Sequence, residues 1–282
     1  QLVSELTSRW PENRIAPSLS RMQAVLKLLG DPQRAVPVIQ IAGTNGKGST
    51  AIMVEALLRA AGLRVGRYSS PHLMDVTERI AIDGDPLSAE RFAEVWADVA
   101  PYVQMVDEQR LDGVAMTFFE VLTTMAYAAF ADAPVDAAVV EVGLGGSWDA
   151  TNVADAQVAV VMPIDLDHTH ILGPGLTEIA TEKAGIIKQG APVIVARQED
   201  AAESVIARQA ARQRAPMQIA GQQWHVHAEH GRLVYQDERG LLDLSAPRLF
   251  GRHQFDNAGL AIATLRASKT FRVDTAAIEA GI

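Results

Sequence analysis

Apolar residues along this chain fall alternately at helical spacing and in short unbroken runs, which predicts helices and strands in turn. Leu19, Met22, Val25, Leu26 and Leu29 recur at the helical period, with Ser18 or Ser20 able to cap the start and Gly30-Asp31-Pro32 closing the end. The run Val36-Pro37-Val38-Ile39-Gln40-Ile41-Ala42 suits a buried strand and passes through a glycine-rich turn into a helix from Ala51. In that helix Ile52, Val54, Leu57, Leu58 and Ala61 repeat until Gly62, and Leu63 to Tyr68 reads as the next strand. Such a strand-helix-strand unit crosses over right-handedly and makes its strands parallel. Ahead of it, Gln1 to Asn13 reads as a short polar arm in which Trp10-Pro11 would end any helix.

Farther along, apolar residues alternate around Glu78-Arg79 from Leu73 to Asp85, and Asp83-Gly84-Asp85-Pro86 makes a turn. Ser88-Ala89-Glu90 opens an amphipathic helix through Phe92, Val95, Trp96, Val99 and Val103. Thr117-Phe118-Phe119-Glu120-Val121 opens another, apolar on nearly every side as far as Phe130, so burial is expected. Val135 to Val142 and Gln157 to Ile164 read as strands; the first closes on Glu141, the second on Asp165-Leu166-Asp167-His168. A helix follows from Leu176 to Lys188, a buried strand from Ala191 to Ala196, and a surface helix from Ala201 to Arg212. Short alternating runs from Trp224 to Leu244, broken at His230-Gly231 and Arg239-Gly240, suggest small antiparallel strands. Gly251 to Asn257 leads into a last helix, Ala258 to Ala267. The fold class is therefore α/β: a mostly parallel sheet flanked by helices with a P-loop-type nucleotide site, plus a small antiparallel β segment near residues 224–244.

Composition narrows this picture only slightly. At 282 residues the chain can form one large α/β domain or two smaller ones, and 48% hydrophobic with 21% charged residues reads as soluble and globular. A net charge of −9 without any Lys/Arg-rich run argues against an extended nucleic-acid surface. There is no cysteine, which excludes disulfides and thiolate metal sites and accords with a cytoplasmic setting. No signal-peptide core or membrane-length apolar run is visible, so no membrane partner is expected.

The chemistry gathers in turns. Gly43-Thr44-Asn45-Gly46-Lys47-Gly48-Ser49-Thr50 joins a strand to a helix: glycines let backbone N–H groups approach an anion, the helix start adds its dipole, and Lys47 adds a mobile charge. It departs from the strict nucleoside-triphosphatase pattern, because Gly43 lies three residues before Gly46 instead of five and Gly48 separates Lys47 from Ser49. The plain alternative is an ordinary glycine-rich turn. Three further strands end in polar residues: Ser69-Ser70, Glu141 and Asp167-His168. Ligands of open parallel sheets bind at those carboxyl ends. Glu141 follows four apolar residues and must be paired, protonated or bound to a cation, and Ser70, Glu141 and phosphate oxygens would suit magnesium. His168 is either a nitrogen ligand to a second cation or a hydrogen-bonded turn residue, and Lys183 is either a solvated helix cation or an inward one beside Ala184-Gly185-Ile186-Ile187. His225, His227 and His230 read as surface residues of a hairpin.

Eight motifs in order are similar to those of the dihydrofolate synthase/folylpolyglutamate synthase family of ATP-dependent Mur-type ligases. They are Gly43-Thr44-Asn45-Gly46-Lys47-Gly48-Ser49, Ser70-Pro71-His72-Leu73, Glu78-Arg79-Ile80, Glu141-Val142-Gly143-Leu144-Gly145-Gly146, Asp149-Ala150-Thr151-Asn152, Leu166-Asp167-His168, Glu182-Lys183-Ala184-Gly185-Ile186-Ile187, and His253-Gln254 with Asn257. The resemblance implies ligation of L-glutamate to dihydropteroate or folates through an acyl phosphate formed from ATP. It further implies that Lys47 and the loop from Gly43 to Thr50 hold the phosphates, that Asn257 touches the nucleotide, and that Ser70 and Glu141 bind one magnesium ion. His168 would bind a second, and Lys183 matches a lysine that is carboxylated by carbon dioxide. Thr117, Phe118, Phe119, Glu120, Trp148, Asp149 and Ala150 align with segments that contact the pterin substrate. Ser147-Trp148 stands where the family commonly has Arg-Leu, and Thr77 where an Asn is usual. A Rossmann-like second lobe would follow residue 282, so the resemblance implies an ATP-binding lobe, monomeric as the family mostly is. The alternative expectation is a module that binds magnesium ATP without ligating anything by itself.

Overall fold

The computed structural model describes residues 2–9 and 16–282. The chain opens with α1 (Leu2–Thr7), where a polar arm is expected, and Leu6 of that helix is buried in the core. The expected stop at Trp10-Pro11 lies outside the described residues. Next come α2 (Ser20–Leu28), β1 (Val38–Ala42), α3 (Lys47–Ala60), β2 (Val65–Tyr68), β3 (Ile80–Ile82), the short β4 (Asp85–Pro86), α4 (Ala89–Gln109) and α5 (Phe118–Asp132). The second half holds β5 (Ala137–Glu141), β6 (Val158–Val161), α6 (Thr169–Leu172), α7 (Leu176–Ala184), β7 (Val193–Val195), α8 (Asp200–Arg212) and β8 (Met217–Ile219). It closes with β9 (Trp224–Glu229), β10 (Arg232–Asp237), β11 (Gly240–Leu244), α9 (His253–Ala267) and α10 (Thr275–Gly281).

Eight strands form one sheet in the order β4-β3-β2-β5-β1-β6-β7-β8, parallel from β2 to β8 with β3 and β4 antiparallel at one edge. Strands β6 and β7 are apolar throughout, and β5 as far as Val140, because helices cover both faces of the sheet. Side chains alternate across β1: Val38 packs with α2, α4 and α5, whereas Ile39 and Ile41 pack with α3 and α9. A third cluster joins β6 and β7 to α7 and α8. The three-stranded antiparallel sheet β9-β10-β11 lies against α9 through Trp224, Leu233 and Tyr235, and Arg266 of α9 holds Asp237 at 2.7 Å.

Several boundaries differ from expectation for local reasons. Helix α3 starts at Lys47, inside the phosphate loop, because Gly46 adopts a left-handed φ of 83° and turns the chain into it. Leu19 and neither serine is the N-cap of α2, but Ser18 Oγ accepts from Ser20 N at 3.1 Å, at the first helical residue, and both hydroxyls donate to Asp112. Helix α7 ends at Ala184, where Gly185 caps it and its carbonyl accepts from Asn152 Nδ2 at 3.2 Å. Helix α9 begins at His253, five residues early, which places Gln254 and Asn257 on the helix.

Candidate nucleotide and substrate site

Strands β2, β5, β1 and β6 are neighbours, so their carboxyl ends lie side by side. Register aligns Ile41 with Glu141, Ala42 with Val161 and Tyr68 with Val140. Consequently the phosphate loop, Ser69-Ser70, Glu141 and the turn after β6 form one rim, as expected for a parallel sheet.

The loop is clamped on both sides. Thr44 N donates to Pro163 O at 3.0 Å, and the Thr44 hydroxyl accepts from Asp165 N at 3.0 Å. Gly46 cannot be replaced without displacement: a Cβ there would come within 2.8 Å of Asn257 Oδ1 and of Met162 Cε. Asn257 thus lies behind Gly46, anchored by donation of its Nδ2 to Gln254 Oε1 at 2.9 Å, while Gln254 Nε2 reaches Ser49 Oγ at 3.4 Å. Asn45 is exposed, Gly48 and Ser49 are half-buried, and Thr50 is buried with its hydroxyl lacking a hydrogen-bond partner.

Two lysines converge on one oxygen. Gly43 O accepts from Lys47 Nζ at 2.9 Å and from Lys183 Nζ at 3.1 Å. Burial, with Lys47 nearby, lowers the Lys183 pKa to about 8. The inward reading of Lys183 is the one the fold adopts. Beside this pair, Glu141 is 4% exposed and accepts from Ser70 N at 3.3 Å. Burial raises its pKa to about 7 against the pull of Lys47. Between pH 4.5 and about 7 the folded chain therefore keeps a proton that the unfolded chain has lost, and stability falls as pH rises through that window. Glu141→Gln is expected to match the parent below pH 4.5 and to exceed it near pH 8 by roughly 3 kcal/mol in ligand-free urea denaturation. Equal midpoints near pH 8 would show that Glu141 carries no such penalty.

A cavity of about 370 Å³ opens next to these groups. Of the expected residues, Lys47, Ser70, Thr117, Phe119, Glu120, Trp148, Asp149, Ala150 and His168 line it. Phe118 does not; it turns into the core beneath the Arg79 guanidinium, 5.3 Å from its ring, because adjacent helical residues point to different faces. His168 sits half-exposed at a φ of 48° before α6, and its backbone N donates to Asp167 Oδ1 at 2.8 Å. Glu120 lines the cavity, but its carboxylate accepts from Thr117 N and from Arg21 Nη2 at 2.9 Å. Asp149 is likewise taken up by four donors, Gly143 N, Leu144 N, Thr151 N and the Thr151 hydroxyl, and so shapes the loop after β5. Sequence reasoning missed Ala16, Pro17 and Ser18 as cavity wall and Arg21 as their anchor. A charged residue on the apolar stripe between Leu19 and Met22 was the available signal.

No family model matches the chain. A dihydrofolate synthase/folylpolyglutamate synthase of Mycobacterium tuberculosis is 45% identical over 284 residues, covering 95% of this chain and 58% of that protein. The structure of Mycobacterium tuberculosis folylpolyglutamate synthase complexed with ADP superposes with a TM-score of 0.92 at 44% identity, over 100% of this chain and 64% of that one. An FPGS-AMPPCP-folate complex superposes with a TM-score of 0.90 at 34% identity, over 99% of this chain and 70% of that one. The chain belongs to the dihydrofolate synthase/folylpolyglutamate synthase family. It spans less than two thirds of the Mycobacterium tuberculosis relative's length.

In this member of the dihydrofolate synthase/folylpolyglutamate synthase family, Ser147 and Trp148 divide two tasks. Ser147 N donates to Glu182 O at 2.9 Å and its hydroxyl bonds the Glu182 carboxylate, tying the loop to the helical turn that carries Lys183. Trp148 lines the cavity together with Phe119 and Ala150. His225, His227 and His230 are exposed on the small sheet, away from this site. No helix among the described residues is long and apolar enough to cross a membrane.

Proposed function

We propose that residues 1–282 form the ATP-binding domain of an acid–amino-acid ligase that adds L-glutamate to 7,8-dihydropteroate, to reduced folates, or to both, with release of ADP and phosphate. The observation that carries this reading is the place of Lys47 at the N-terminus of α3, its Nζ on Gly43 O at 2.9 Å, beside the buried carboxylate of Glu141. Such a cluster fits the phosphates of a nucleotide. The ADP complex and the AMPPCP-folate complex of the related synthases support the same choice of ligands.

A carboxylate is a poor electrophile, so its oxygen first attacks the γ-phosphorus, the bond to the β-phosphate oxygen breaks, and ADP leaves. The glutamate nitrogen then attacks the acyl carbon, loses a proton, and expels phosphate. Lys47 and the loop from Gly43 to Thr50 hold the β and γ phosphates, and Asn257 sets the loop against the nucleotide; catalysis rests on position and charge. The donors at Glu141 suit magnesium: a buried carboxylate of raised pKa and the Ser70 hydroxyl are hard oxygen ligands. Among the described residues no three His, Asp or Glu side chains cluster as a metal site, and Glu141 with Ser70 would leave a cation's remaining positions to substrate and water. Glu141 and the Ser70 hydroxyl would hold a magnesium ion whose charge would offset that of the phosphates, and His168 would contribute to a second site. Lys183, uncharged more readily than an ordinary lysine, is suited to reaction with carbon dioxide. Thr117, Phe119, Trp148 and Ala150 give the acceptor's flat ring an apolar slot.

The test is one incubation with magnesium ATP, ¹³C-bicarbonate, L-glutamate and either 7,8-dihydropteroate or a reduced folate. Mass spectrometry is expected to show a glutamate adduct in at least one branch, and ¹³C NMR a carbamate signal that Lys183→Met removes. Nucleotide binding without an adduct would assign the chain nucleotide binding alone; no nucleotide binding would overturn the phosphate site.

A further inference from the structure

Arg67 is a guanidinium inside the central sheet, on β2, two residues before the Ser69-Ser70 turn. Its Nε donates to Glu55 Oε2 at 2.6 Å and its Nη1 to Ser69 Oγ at 2.9 Å. The ion pair is removed from solvent, with side-chain exposures of 12% for Arg67 and 4% for Glu55. Glu55 Oε1 is buried without a hydrogen bond, so Arg67 is what neutralises that carboxylate among the described residues.

The placement of the partners gives this pair its meaning. Glu55 lies on α3, the helix whose first residue is Lys47 and whose N-terminus faces the phosphate position. Ser69 belongs to the turn that presents Ser70: Ser69 N donates to Arg79 O at 3.0 Å, and Ser70 N donates to Glu141 Oε2 at 3.3 Å. One rigid fork therefore bonds the phosphate-loop helix with one nitrogen and the Ser70 turn with another. A guanidinium fixes two directions at once, whereas an ammonium is a single point charge on a flexible stem. A buried ion pair is weak evidence for added stability, since apolar residues of like volume hold a fold equally well. Its position between two ligand-bearing elements calls for a different account.

We propose that Arg67 is a positioning residue that couples the phosphate loop to the Ser70–Glu141 oxygen pair, so that nucleotide and magnesium bind cooperatively through Glu55, Arg67 and Ser69. This inference rests on the reading of Ser70 and Glu141 as magnesium ligands. A helix whose N-terminus closes on phosphates carries Glu55 with it; Arg67 follows, and Ser69 sets where the Ser70 hydroxyl stands relative to Glu141. Two sites linked by such a contiguous network share a coupling that is the same measured from either ligand.

The experiment is calorimetric titration of the full chain with ADP, in the presence and absence of magnesium, for the parent and three variants. The quantity read is the ratio of the two ADP affinities, which loss of stability alone does not move. Ser69→Ala removes one acceptor and leaves the Glu55–Arg67 pair intact; it is expected to cut the ratio at least fivefold, within the usual range of site-to-site coupling, with magnesium-free affinity unchanged. Arg67→Lys keeps the charge without the fork and is expected to show the same loss. Glu55→Gln combined with Arg67→Met, which leaves no unpaired buried charge, is expected to match them. A ratio equal to the parent's in all three variants, or an equal loss of affinity with and without magnesium, overturns the inference while the metal assignment stands. A parent chain whose ADP affinity ignores magnesium overturns the metal assignment itself, and the inference with it.

Discussion

Lys47→Ala is expected to lower the proposed glutamate ligation by on the order of a hundred- to a thousandfold, the usual effect of removing one donor aimed at developing charge in a closed site. The folded chain makes little structural use of this side chain: among the described residues Nζ hydrogen-bonds to the loop carbonyls of Gly43 at 2.9 Å and Thr44 at 3.3 Å. The melting temperature should therefore stay near the parent's while turnover collapses. ADP release under saturating substrate, measured beside thermal denaturation, checks both halves. Turnover within a few-fold of the parent would remove Lys47 from the phosphate site.

Arg21→Met is expected to be the most damaging change to the fold. Arg21 is fully buried, and its Nε and Nη2 bond the Glu120 carboxylate at 2.9 to 3.1 Å while Nη2 also donates to Ala16 O at 2.6 Å. Removing one partner strands a buried charge, which costs about 3–5 kcal/mol and, for a chain of this size, roughly ten degrees of melting temperature. Arg21→Met with Glu120→Leu leaves no buried charge behind, since Asp112, the other carboxylate on Arg21, is half-exposed, and it is expected to recover most of that loss. The double variant should nonetheless bind the acceptor less well, because Ala16, Pro17 and Ser18 form a cavity wall held to α5 by this pair. If the double variant melts no higher than the single one, packing around Arg21 and not the stranded carboxylate sets the loss.

The strand ends are where local sequence was most informative. A carboxylate after Ala137-Ala138-Val139-Val140 announces its chemistry because burial makes it costly without a partner, and Lys47 because it stands in a glycine-rich turn at a helix start. The small antiparallel sheet was legible from alternation and tight turns between Trp224 and Leu244. Arg67 was not: inside a predicted strand it shows only a charge that needs a partner, and Glu55 lies twelve residues earlier on a helix whose own pattern calls for nothing. The family resemblance pointed to Asp149 and Glu120, which line the cavity, but not to their carboxylates being already engaged by backbone and Arg21 donors. Helix ends moved for the same kind of reason: α7 stops at Ala184 because Asn152, thirty-three residues upstream, takes the Gly185 carbonyl.

The amino-acid sequence by itself determined the alternation of helix and strand, the phosphate loop and the family, since these rest on neighbours within a few residues and on motifs read in order. Only the tertiary structure decided which oxygen Lys47 and Lys183 share, which face of α5 meets the cavity, and that Arg67 joins α3 to the Ser69-Ser70 turn. Strand order and crossover bring those groups together across up to 140 residues of chain. No local period encodes such a distance, because burial and hydrogen bonding act between whatever surfaces the sheet sets side by side.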